Sequence, residues 1–82
     1  MKPSEVIKTY GWVQGRWGNI DIGFCAASAT VHVIPGYDNN CDFFKKLRKH
    51  IGLKPNDSIL IWNDDPAQTK EKVIEALEAA EQ

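Results

Sequence analysis

The sequence predicts a mainly α fold: a compact single domain over residues 1–82, built from about four short helices. Three observations point there. Apolar residues recur at helical spacing in several segments, clusters of Gly, Pro and Asn/Asp cut the chain into short pieces, and good capping residues stand at the cuts. The length, 82 residues, is near the lower limit for a single unassisted core. With 43% apolar and 26% charged residues, the chain has the makeup of a folded protein rather than a disordered one.

The first helix is expected over "PSEVIKTYG", with Ser4 as its cap, Val6, Ile7 and Tyr10 on one face, and Gly11 at its end. "GWVQGRWGNIDIG" has four glycines in thirteen residues and reads as loop. "FCAASATVHVI" is ambiguous. Phe24, Ala27, Val31 and Ile34 fit a helical stripe, whereas "TVHVI" alternates like a strand. Helix is preferred here, ended by Pro35-Gly36. In the next helix Asn39, Asn40 or Asp42 is the cap, Phe43, Phe44, Leu47 and Ile51 form the stripe, and Gly52 is the stop. "SILIW" at 58–62 is either a buried helical turn or a strand. The alternative architecture is therefore α+β, with short strands at 29–34 and 58–62. The last helix has Asp65 as N-cap, Pro66 first inside it and Gln68 at the capping-box position. Thr69 offers a second cap one turn later, and Val73, Ile74, Leu77 and Ala80 make the buried stripe.

Ten basic and eleven acidic side chains leave a formal charge of −1, so no global field draws the chain towards nucleic acid or an anionic membrane. No apolar run is long enough to cross a bilayer, and "MKPSEVIKTYGW" lacks a signal peptide's apolar core. A cytoplasmic location is expected. Two cysteines, Cys25 and Cys41, are too few for a disulfide framework and are expected as thiols.

"GWVQG" at 11–15, "FCAASA" at 24–29 and "WNDDPAQTKEKVIEAL" at 62–77 occur in an order that resembles a family of small, uncharacterised phage and bacterial proteins. Members of that family carry Gly-Trp-x-Gln-Gly, then a cysteine-alanine segment, then Trp-Asn-Asp-x-Pro-x-x-Thr before a terminal helix. The resemblance implies a mainly helical protein encoded by phages or bacteria, and implies no activity.

Each candidate chemistry in the sequence has a simpler competing role. Cys25, His32, Cys41 and His50 could ligate zinc, but their gaps match no common finger or knuckle, so no metal and no cofactor is expected. Cys25 with His32 could be a nucleophile and base, yet no flanking signature supports catalysis, and a buried thiol is the ordinary case. Asp21, Asp57, Asp64 and Asp65 are better read as caps and solvated carboxylates than as a cation site. "KKLRKH" places Lys45, Arg48 and Lys49 on one helical face, which reads as a solvated face; nucleic acid is a disfavoured partner.

Three tryptophans in so short a chain invite a binding role. The candidate surface comprises Trp12, Gln14, Arg16, Trp17, Trp62, Asn63 and Asp64. Its structural alternative makes Trp12 and Trp62 part of the core, with Asn63 and Asp64 holding the "GWVQGRWG" loop by its backbone. The expected function is a binding module for a protein partner, for instance a phage accessory protein engaging a host or defence component; a homodimer is also open. The alternative function is a small ligand- or nucleotide-binding protein, or an enzyme, using Trp62, Asn63 and Asp64 with Arg16. In the nucleic-acid reading, Lys45, Arg48 and Lys49 would contact phosphates.

Overall fold

A computed structural model describes residues 1–34, 42–55 and 57–82 of the chain. Helix α1 runs Pro3–Tyr10. Proline has the φ of a first helical residue and no N–H to waste there, so the helix starts at Pro3 with Lys2 outside it. Ser4 is therefore inside the helix rather than its cap. Its N–H and Oγ both donate to the Glu81 carboxylate, at 2.8 and 2.6 Å. Gly11 ends the helix at φ 102°, a conformation that favours glycine.

The segment read as loop contains a minimal sheet. Strands β1 (Gly18–Asn19) and β2 (Gly23–Phe24) pair antiparallel, Gly18 with Phe24 and Asn19 with Gly23. On the other side of Phe24, Trp12 forms a parallel bridge. A side chain on Gly23 would put its Cβ 2.7 Å from the Gly11 carbonyl carbon, so this crossing requires glycine.

Helix α2 spans Ala26–Val33, which excludes the strand at 29–34; Phe24, placed in its stripe from the sequence, lies in β2 instead. Cys25 is the N-cap. Its Sγ accepts from the Ser28 N–H at 3.4 Å, and Ser28 Oγ accepts from the Cys25 N–H at 3.0 Å. Residues 26–30 are all buried, and the Thr30 hydroxyl is satisfied by the Ala26 carbonyl at 2.9 Å.

Helix α3 covers Asp42–Ile51 and stops at Gly52, φ 80°. The expected stop at Pro35-Gly36, the caps Asn39 and Asn40, and Cys41 lie outside the described residues. Phe44 and Leu47 are buried as expected, but so is Arg48. Arg48 Nε donates to the Asp57 carbonyl at 2.9 Å, and its guanidinium lies 6.0 Å from the centre of the Phe44 ring. The basic face is thus reduced to its lysines, because the long Arg48 stem packs while its head finds a carbonyl.

"SILIW" is helical as well: α4 runs Ile59–Asp64, capped by Ser58 Oγ, which accepts from Leu60 and Ile61 N–H. The strand at 58–62 is therefore not formed. Helix α5, Lys70–Ala80, begins at the second of the two caps, Thr69. Asp65 caps only a turn, its carboxylate accepting from Ala67 N–H at 2.8 Å and its carbonyl from Gln68 N–H at 2.9 Å. The fold is mainly α, with five helices and one two-stranded sheet among the described residues.

Helix α5 packs against both α1 and α3, and α1 packs in turn on α2. The Lys8–Glu78 ion pair and the Ser4–Glu81 bonds set α1 antiparallel to α5. Val6, Ile7, Phe44, Leu47, Val73 and Leu77 are the large members of one core, with Trp12 and Trp62 packed partly buried against it. No helix among the described residues is long and apolar enough to cross a membrane.

Burial on α3 has a measurable consequence. The double substitution Lys45→Glu, Lys49→Glu touches exposed positions and is expected to cost no more than ~0.5 kcal/mol per site. Arg48→Ala strands the Asp57 carbonyl and empties a packed stem, and is expected to cost ~1–3 kcal/mol. Urea denaturation of both variants checks the difference.

Candidate functional site

The motifs 11–15 and 62–66 meet in space. Asn63, on α4, is fully buried, and its side-chain amide is saturated. Oδ1 accepts from Trp12 Nε1 at 2.7 Å and from the Ala26 N–H at 3.0 Å. Nδ2 donates to the Val13 carbonyl at 3.0 Å and to Asp64 Oδ1 at 3.1 Å. That same Asp64 oxygen accepts from the Gly15 N–H at 2.8 Å. Gln14 completes the set, its Nε2 donating to the carbonyls of Asn63 (3.0 Å) and Asp65 (2.8 Å). Four consecutive residues, Trp12 to Gly15, are thereby tied to three consecutive residues, Asn63 to Asp65.

The Asn63–Ala26 bond has a second use. Ala26 is the first residue of α2, and its N–H has no partner within the helix. One buried amide therefore joins the loop, the start of α2 and the end of α4. A second tether lies just beyond. The Trp17 carbonyl accepts from the Cys25 N–H at 3.3 Å and from Ser28 Oγ. The loop is thus tied at Trp12–Gly15 and again at Trp17, and the β1–β2 turn, residues 20–22, lies exposed beyond the second tether.

Of the sequence-predicted site residues, Trp12, Gln14, Asn63 and Asp64 form this clamp. Arg16 and Trp17 lie on the exposed tip, Trp17 with half its surface in solvent. Trp62 faces elsewhere, lining a cleft of about 290 Å³ with His50, Ile51, Lys72, Glu75 and Ala76. Arg16, Asn63 and Asp64 do not line that cleft, so the structure divides the set into a clamp, a tip and a separate cleft.

The remaining candidates are dispersed. Cys25 is buried at the start of α2, while the His32 ring lies one residue before the helix end, 5.1 Å from the Phe24 ring and 6.3 Å from that of Tyr10. Seven residues of helical rise, roughly 10 Å, separate the two backbones. Among the described residues no three His, Cys, Asp or Glu side chains cluster as a metal site would need. Asp64 and Asp65 serve different partners, and the Asp57 carboxylate accepts from the Lys54 N–H at 2.9 Å.

Sequence reasoning missed four exposed apolar side chains. Ile20 (57% exposed) and Ile22 (45%) accompany Trp17 on the tip; Leu60 (43%) and Ile61 (76%) project from α4. "NIDIG" carried the only signal, two isoleucines inside a glycine-rich loop.

The fold and the clamp define a small helical protein that holds one surface loop rigidly through a buried asparagine. The chain belongs to DUF6197, a family of unknown function, which it matches over residues 3–82. No curated protein and no solved structure gave a significant match.

Removing the clamp should be costly. Asn63→Ala leaves the Ala26 N–H, the Val13 carbonyl and the Trp12 indole N–H without their partner, and is expected to destabilise the fold by ~3 kcal/mol. Gln14→Ala, at a more exposed position, is expected to cost ~1 kcal/mol. Thermal melts beside wild type check both values and their order.

Proposed function

We propose that this protein is a binding module with no catalytic role, and that residues 16–22 are its contact surface for a protein partner. The observation that carries the reading is the exposure of Trp17, Ile20 and Ile22 on a tip whose base is fixed by the clamp. Large apolar groups grouped in solvent are costly unless something covers them. A segment tied at Gly15 and Trp17 and closed by the β1–β2 pairing loses less conformational freedom when it binds. Arg16 adds a cation that forms no ion pair among the described residues, and Trp and Arg are the side chains that most often anchor interfaces.

The motif resemblance suggests the setting, an accessory protein in a phage-infected or bacterial cell that engages a host or defence component. The cytoplasm is the compartment that fits a chain with two thiols and little net charge.

A second reading, a small ligand or nucleotide, draws on the Trp62 cleft. There an indole whose N–H has no partner among the described residues stands beside His50 and Lys72. Native mass spectrometry that finds a small molecule retained by wild type and lost from Trp62→Ala would favour it.

The main reading is tested by capture from host lysate with tagged wild type, Arg16→Ala and Trp17→Ala. Both variants are expected to melt within ~1 kcal/mol of wild type, since their side chains are exposed, and to lose the captured protein. Full capture by both variants would sink the proposal.

A further inference from the structure

We draw no further inference here: the strongest candidate, the open cleft between α3, α4 and α5 where Trp62 stands with His50, Lys72 and Glu75, is lined by side chains of both charges, and nothing in the structure shows what would fill it.

Discussion

The structure depends on one buried amide being fully used. Asn63 has two donor and two acceptor positions, and all four are engaged by four different residues: Trp12, Val13, Ala26 and Asp64. Burying a polar group is unfavourable unless its hydrogen bonds are replaced, so partial engagement would make this position a liability. Full engagement makes it specific. The loop cannot shift relative to α2 and α4 without breaking several bonds together. A glycine-rich segment that would otherwise sample many conformations is thus given one.

The same logic recurs at the helix ends. A chain of 82 residues has few large side chains to bury, and α4 is only six residues long, too short to be stable alone. Its N-terminal N–H groups go to Ser58, those of α2 to Cys25 and Asn63, and that of α5 to Thr69. Even the start of α1 is closed from a distance, by Glu81 at the far end of α5. Among the described residues no buried side-chain polar atom lacks a partner. Order of this kind leaves the exposed tip, with Trp17, Ile20 and Ile22, as the part of the molecule that folding does not explain.

Helical periodicity made most of the fold legible in the sequence: the stripes Phe44-Leu47 and Val73-Leu77 are core, and the helical preference for "CAASA" holds. Errors came where a distant residue decides a local choice. Asp65-Pro66 is as good a helix start as Thr69 by local rules, yet the Asp65 carbonyl is shared by Gln14 and Gln68 in a turn, and the helix begins later. Arg48 looks like one of a basic row until the Asp57 carbonyl and the Phe44 ring are placed beside it. Two-residue strands are too short for any period to show. The structural role of Asn63 and Asp64 was readable as one of two alternatives, because "WND" exceeds what a helix cap needs. The exposure of Ile20, Ile22, Leu60 and Ile61 was not, since composition cannot tell a core isoleucine from a surface one.

Native-state hydrogen exchange is the most direct measure of the clamp. The Trp12 indole N–H and the amide N–H groups of Ala26 and Gly15 all donate into it from different elements. If the clamp is what holds the loop, all three protons should exchange only through global unfolding, with the same free energy and the same denaturant dependence as core amides such as those of Ile7 and Leu77. Exchange of the Trp12 indole and Gly15 protons through a low-energy local opening, with the core still protected, would contradict the account.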